Sequence, residues 1–380
     1  MLFCDLYRAK LKIYAINMGE RILWLNWKDI KNPQAGGAEV FTHEIAKRLA
    51  QTYEHEVTLF TSLFENSTDS EDLDGVRVRR RGGKYSVYKH AQKFFEANKL
   101  AFDLIIDEIN TRPFLTPKYV KNNCPIVPLI HQLAREFWFY ETSFPLSYLG
   151  YYYLENKWLS HYKNLRILTV SNSTKKDLEK LGFRSITVIP EGLSVKPLDR
   201  PEKKEDHPTF VFVGRLKKAK LPDHALKAFS IIQKELKTAK LWVIGSGYMR
   251  ERLQKSTTDG VIFHGHVSDE KKYSLIAKAH MILMPAVREG WGLVVPESNA
   301  VGTPAVAYDV NGLRDCVIHQ KTGILTKNNT SEDLAHEAVS LFHDKDRLEH
   351  LSIGAIEFSR QFTWDRSANE FNEALLEIVN

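Results

Sequence analysis

Short apolar runs alternate with helical periods along the whole chain. RILWLNW (residues 21–27), EVTLFTS (56–62), FDLIIDEI (102–109), PIVPLIHQ (125–132) and RILTVSN (166–172) are nearly continuous in apolar residues, the pattern of strands buried on both faces. Between the first two lies EVFTHEIAKRLAQ, with Val40, Phe41, Ile45, Ala46 and Leu49 at helical spacing. GVRVRRR (75–81) is predicted as the third strand and residues 87–98 as a helix. Such alternation predicts an α/β fold with a doubly wound parallel sheet, whose ligands bind beyond the carboxyl ends of the strands. Glu108, Asn110, His131 and Ser171 fall just past those ends and are candidates for the crevice. A histidine in that place can equally be a structural hydrogen-bonding residue.

A second α/β series begins after IPEGLSVKPLDRPEKKEDHP (189–208), a stretch dense in proline and charge that predicts a domain boundary. TFVFVG (209–214), LWVIGSG (241–247), VIFHG (261–265), HMILMPAV (280–287) and TPAVAYD (303–309) are its strands, and residues 364–380 form an amphipathic last helix. The expected division is an N-terminal extension over 1–19, one α/β domain over 20–190 and a second over 191–363.

The stretch Glu289–Glu297, EGWGLVVPE, sits between a strand and a helix expected to begin near Val294. Gly290 and Gly292 let the backbone approach a ligand, and a helix N-terminus there would favour a phosphate. Two carboxylates beside a phosphate seat make sense when they bind hydroxyls, so a sugar or ribose is the expected partner. Arg215 and Lys220 follow the strand 209–214 and are placed to neutralise a diphosphate. The pair Gly36-Gly37 lies at the strand-to-helix turn of the first series, where it is either a simple turn or a seat for a phosphate or substrate oxygen.

Charge and aromatic content add two surface questions. The net charge of +6 comes entirely from residues 1–190, with 27 Lys and Arg against 21 Asp and Glu, while residues 191–380 balance at 26 and 26. Much of the excess lies in residues 76–93, VRVRRRGGKYSVYKHAQK, which would face anionic lipid or a phosphorylated acceptor unless it is a solvated face. Residues 137–158 are crowded with aromatic side chains, either dipping into a membrane interface, lining an acceptor channel, or packed under a helical insertion. No apolar run reaches the roughly 18 residues of a membrane span, and the charged N-terminus is a poor signal peptide. Cys4, Cys124 and Cys316 show no metal or disulfide spacing, which suits a reducing cytoplasm. Nothing in the charge pattern suggests nucleic acid.

AGGAE, the histidine closing a mid-domain strand, VSNSTKKDLEKLG, VIPEGL, VGRLKKAK, FHGHVSDEKKYSLIAKA, EGWGLVVPESNAVGTPAVA and NGLRDCVIHQKTGIL occur in that order. As an ordered set they resemble the group-1 retaining glycosyltransferases, glycosyltransferase family 4, from Arg21 onward. The resemblance implies the GT-B architecture, two Rossmann-like domains facing across a cleft, with the last helix, residues 364–380, packing back on the first. It implies transfer of a sugar from a nucleotide sugar to a glycan or polyprenyl-linked acceptor, with retention, with no obligatory metal or other cofactor, and through an oxocarbenium-like transition state. Carried onto this chain, Glu289 contacts the donor sugar with Gly290, Trp291, Gly292 and Leu293 around it, and Glu297 holds the ribose. Arg215 and Lys220 grip the diphosphate, His131 lies near the transferred sugar, His266 and Val267 flank the base, and Gly36-Gly37 closes near the phosphates. Glu108, Asn110 and Arg135 are the acceptor-side candidates.

Two positions depart from that pattern: Leu221 follows Lys220 where glycine is usual, and Trp291 replaces the usual phenylalanine, which is expected to narrow the sugar pocket. The implied setting is cytoplasmic, peripheral on the inner face of the membrane. Other readings are a different two-Rossmann enzyme, such as an epimerase or a phosphorylase, and a non-catalytic member scaffolding a membrane assembly.

Overall fold

The computed structural model describes residues 19–121 and 124–379, so the expected extension over residues 1–19 lies outside the described residues except for Gly19. Eight strands form the first sheet: β1 (Arg21–Leu25), β2 (Glu56–Thr61), β3 (Ser70–Leu73), β4 (Val76–Arg80), β5 (Leu104–Glu108), β6 (Ile126–Ile130), β7 (Ile167–Thr169) and β8 (Ile186–Val188). Their order is β3-β4-β2-β1-β5-β6-β7-β8, parallel except for the β3–β4 pair. After a connection without regular structure, β9 (Thr209–Val213), β10 (Lys240–Ile244), β11 (Val261–Gly265), β12 (Met281–Met284), β13 (Ala305–Ala307) and β14 (Gly323–Leu325) build a parallel second sheet, ordered β11-β10-β9-β12-β13-β14. The central strands β1, β5, β6, β9 and β12 are buried on both faces apart from Arg21, which accounts for their unbroken apolar character.

β3 is a correction to the sequence reading. Its residues, SEDL, carry no apolar alternation; the strand pairs antiparallel with β4, Glu71 meeting Arg80 while Asp72 accepts the Gly75 N–H of the turn between them. Arg80 is fully buried, bonded to Asp29 at 2.7 Å and to Glu71 at 2.5 Å. Arg77 pairs with Glu56 at 3.0 Å, Arg81 with Asp69 at 2.6 Å, and Arg79 donates to Ser70. Arg80 is therefore buried in the sheet edge, while Arg77 and Arg81 are at least half exposed, each beside an acid.

The last helix, Trp364–Val379, leaves the second sheet and packs on the first. Phe371 stacks on Trp24 with ring centroids 5.3 Å apart, and Trp364 meets Phe41 at 6.1 Å. His55 bonds to Asn372 at 2.7 Å beside them. Each such buried ring contributes about 1.5–3 kcal/mol by burial, so the crossing helix clamps the two halves. Among the described residues no helix is long and apolar enough to cross a membrane.

Candidate active site

The cleft is built from residues that follow strand ends in both sheets. On the second sheet, β9 runs into Gly214-Arg215, and a single 3-10 turn, Lys218–Lys220, leads into the helix Pro222–Glu235. Leu221 joins turn to helix at φ +49°, the left-handed conformation a glycine would adopt without strain. Its side chain is buried in the domain core, which offsets that strain and explains how leucine serves there.

β12 runs into Arg288-Glu289, whose backbone N–H donates to the Asn311 carbonyl at 2.9 Å. Gly312 lies under it so closely that a Cβ there would come within 2.5 Å of the Glu289 carbonyl oxygen. The Lys220 ammonium donates to Glu289 Oε1, while Oε2 has no protein donor among the described residues. Lys217, between Arg215 and Lys220, is pushed down to about 8, first by burial and then by those two cations. The sequence reading passed over Lys217, although RLKKAK already placed it in the same loop.

Glu297 stands in a helix of only seven residues, Val294–Ala300. Lys272 donates to its Oε1 at 3.1 Å and the Tyr273 hydroxyl to the same oxygen at 2.9 Å, again leaving Oε2 without a protein donor among the described residues. Burial raises the Glu297 pKa, and the two donors oppose that rise. His266 and Val267 lie between β11 and the helix Asp269–Lys278 that carries Lys272 and Tyr273. His266 is exposed and Val267 half-buried. Glu297 and this segment thus form a second cluster, separate from Glu289.

Trp291 requires a correction. Its ring is buried, edge-on to Phe362 at 5.4 Å, so it fills the core rather than narrowing a sugar pocket. A ring as large as tryptophan, following a strand end, has more apolar surface to bury inward than outward.

Across the cleft, His131 follows β6 and is buried between two carboxylates, with Nε2 3.3 Å from Glu108 and Nδ1 3.5 Å from Glu191. Burial alone would lower its pKa; the two carboxylates outweigh this and raise it to about 10. Neither ring nitrogen is aligned for a hydrogen bond to the protein. Glu108 accepts from Trp24 at 2.8 Å, from Thr42 at 2.5 Å and from Asn110 at 3.3 Å, so Asn110 reaches the histidine only through it. Glu191 was missed as a site residue, although VIPEGL was singled out.

Arg135 turns away from the histidine. Its guanidinium lies 3.8 Å from Glu155, whose carboxylate also accepts the Ala134 and Arg135 N–H groups at 2.6 and 3.0 Å and so braces the loop after His131.

The glycine pair closes the gap between the halves. Lys28, buried, donates to the Gln34 carbonyl at 2.7 Å and pairs with Glu39 at 3.2 Å, and Glu39 accepts the Gly36 N–H at 2.7 Å. Arg215 reaches over from the second sheet to the same Gln34 carbonyl at 3.2 Å. A Cβ on Gly37 would stand 3.9 Å from Glu191 and 4.0 Å from Leu293, and one on Gly290 would lie 3.0 Å from the His131 carbonyl. Gly36, Gly37, His131, Arg215, Lys220, Glu289, Gly290 and Leu293 therefore meet at one place, with Gly292 at φ +85° in the turn behind them. Arg288 holds the halves together through Asp177 at 2.7 Å and Glu136 at 3.0 Å.

Comparison with known proteins agrees with this geometry. Residues 35–196 match the family model described as Glycosyltransferase Family 4, and residues 197–358 match that of Glycosyl transferases group 1. The D-inositol 3-phosphate glycosyltransferase of Nocardia farcinica is 28% identical over 213 residues, covering 50% of this chain and 46% of its own, so the chain spans about half the length of that relative. Sucrose-phosphate synthase from Thermosynechococcus elongatus superposes with a TM-score of 0.78 at 19% identity, over 94% of this chain and 98% of that one. Anabaena HepE in complex with UDP-glucose gives 0.72 at 16% identity, over 94% and 100%. These likenesses establish the GT-B fold. With the two models running edge to edge from residue 35 to residue 358, the chain belongs to the group 1 glycosyltransferases of family 4.

Proposed function

We propose that the protein transfers a sugar from a nucleoside diphosphate sugar to a glycan or lipid-linked acceptor with retention of configuration, working on the cytoplasmic side of a membrane. The observation that carries this reading is the charge pattern of the second-sheet loop. Arg215, Lys217 and Lys220 stand together on one loop, where burial first and then the two neighbouring cations push Lys217 down to about 8, and the three make a positive potential suited to a diphosphate. Glu289 and Glu297 each hold a lysine on one oxygen and keep the other for a hydroxyl. A diphosphate arriving beside Lys220 competes with Glu289 for the ammonium, and the sugar hydroxyls then donate to Glu289. As the glycosidic bond breaks, charge grows on the departing phosphate, where the cations stabilise it and an obligatory metal is not required. The imidazolium of His131 and the glycine loop bound the sugar from the opposite side.

The test is a thermal-shift and product screen against uridine, guanosine and adenosine diphosphate sugars, with wild type beside Glu297→Ala and Lys220→Ala. A donor at a hundredfold excess over its dissociation constant stabilises by about 2.7 kcal/mol. The expected result is that one nucleotide class stabilises wild type, that both variants lose the effect, that a chelator leaves turnover unchanged, and that the product anomer matches the donor by NMR. If no nucleotide stabilises the wild type, the reading is wrong.

A further inference from the structure

The segment from Phe137 to Leu159 has two unlike faces. Its inner face is fixed. The Trp138 ring lies flat against Gly150, where a Cβ would come within 2.2 Å of it, and Trp138 also meets Trp158 at 6.3 Å. Glu155 braces the loop after His131, and Glu141 accepts the Ala219 N–H at 2.9 Å and the Tyr248 hydroxyl at 3.0 Å on the second domain.

The outer face is bare. Phe144 is 78% exposed, Tyr152 65%, and Tyr148 53%, with Leu146, Leu149 and Tyr153 about half exposed beside them. These rings are already assembled: Phe139 meets Tyr148 at 5.2 Å, Phe144 meets Tyr148 at 5.8 Å, and Tyr148 meets Tyr152 at 6.1 Å. A contiguous exposed apolar layer of this kind marks an interaction surface rather than ordinary solvent exposure.

Charge identifies what the surface fits. The segment has three charged side chains; Glu141 and Glu155 are bound as described, and Lys157 stands on the outside over the Tyr153 ring. Lys118 joins Lys157 there: burial and then these two lysines lower the pKa of His161 between them, so the lysines and not the histidine carry the charge, and Lys163 is exposed nearby. The outward face is thus apolar rings with hydroxyl tips and a basic border. Tyrosine-rich rings sit at the headgroup level of a bilayer, and basic side chains beside them are drawn to anionic lipid.

We propose that this face is a foot that seats the protein on an anionic membrane surface. Because the inner face of the same segment braces the loop that follows His131, seating the foot brings a lipid-linked acceptor, rather than a soluble one, to the cleft mouth. That last step rests on the transferase reading; the foot itself does not.

The experiment is flotation of the full chain with phosphatidylcholine vesicles, with and without phosphatidylglycerol. Wild type is expected to float with the anionic vesicles. A combined Phe144→Ser, Tyr148→Ser, Tyr152→Ser variant should bind at least about tenfold more weakly, and Lys157→Glu about fivefold more weakly on anionic vesicles only. The triple variant should keep wild-type melting behaviour, because the three rings are outside the core. Wild type remaining at the bottom of the gradient, or a triple variant that floats as wild type does, overturns the foot. So does a concentration-dependent dimer that the triple variant abolishes, without vesicle binding, because the occupant is then a second copy. Vesicle binding by a protein that binds no nucleotide would keep the foot and remove the transferase reading.

Discussion

The two walls of the cleft use the same residue types in opposite proportion. On the second-sheet wall, Arg215, Lys217, Lys220 and Lys272 face Glu289 and Glu297, and Lys217 is lowered first by burial and then by Lys220 and Arg215 beside it. On the first-sheet wall, Glu108 and Glu191 share the single imidazolium of His131, while Lys28 is already paired with Glu39. One wall has positive charge left over for an anion; the other has none left over, its three carboxylates outnumbering its two cations, and offers hydrogen-bonding groups to a neutral sugar. The difference separates binding of a diphosphate from positioning of the group it carries, and each wall should fail in its own way when its charges are removed.

The largest effect is expected on the first-sheet wall and in stability. His131→Ala removes the cation that two buried carboxylates share, and breaking a buried ionic group in this way costs about 3–5 kcal/mol, read as a shift in the urea midpoint. The pH dependence has a definite sign. The folded-state pKa of His131 is raised to about 10, so its stabilisation is complete below the unfolded value near 6.5 and is lost as pH rises through about 10. Wild type should therefore lose stability between pH 7 and 10 relative to His131→Gln, and parallel curves for the two proteins would break the comparison.

The next effect is on the second-sheet wall and in rate. Lys220→Ala removes a diphosphate cation and strips Glu289 of its partner, and turnover should fall by about a hundredfold to a thousandfold. The urea midpoint should move less than for His131→Ala, because the lysine end is partly open to water. A larger stability loss for Lys220→Ala than for His131→Ala would reverse the assignment of the two walls.

Sheet architecture was legible because each central strand is an apolar run that no helix of that length would need. β3 was not, since SEDL is a four-residue edge strand with one apolar residue and so shows no periodicity, although it pairs antiparallel with β4. At the site, residues within local motifs, such as Glu289 with Lys220, were placed where strand ends and glycines predicted. Glu191 and Lys272 were not, because each acts on a residue outside its own motif, Glu191 on His131 and Lys272 on Glu297; Lys28 acts only six residues on, at Gln34, but its role shows only when Arg215 reaches the same carbonyl from the second sheet. Trp291 shows the opposite failure. It sits inside the most informative motif, yet its ring belongs to the core against Phe362.

The smallest effect tests the surplus charge itself. With Lys217 near 8 in the free protein, a bound diphosphate favours the ammonium form and draws a proton as it binds. Affinity for a nucleoside diphosphate should be level at neutral pH and decline above about pH 8, by up to about tenfold per pH unit, as the lysine must be recharged on binding. Titration calorimetry in two buffers of different ionisation enthalpy should show proton uptake near pH 8, and Lys217→Met should abolish both the uptake and the decline while still binding through Arg215 and Lys220. Because Lys217 lies over the Phe137 ring at 5.1 Å, methionine keeps the apolar contact and removes only the charge. An unchanged proton uptake in Lys217→Met would mean that another group supplies the positive potential. The asymmetry between the walls would then rest on Arg215 and Lys220 alone.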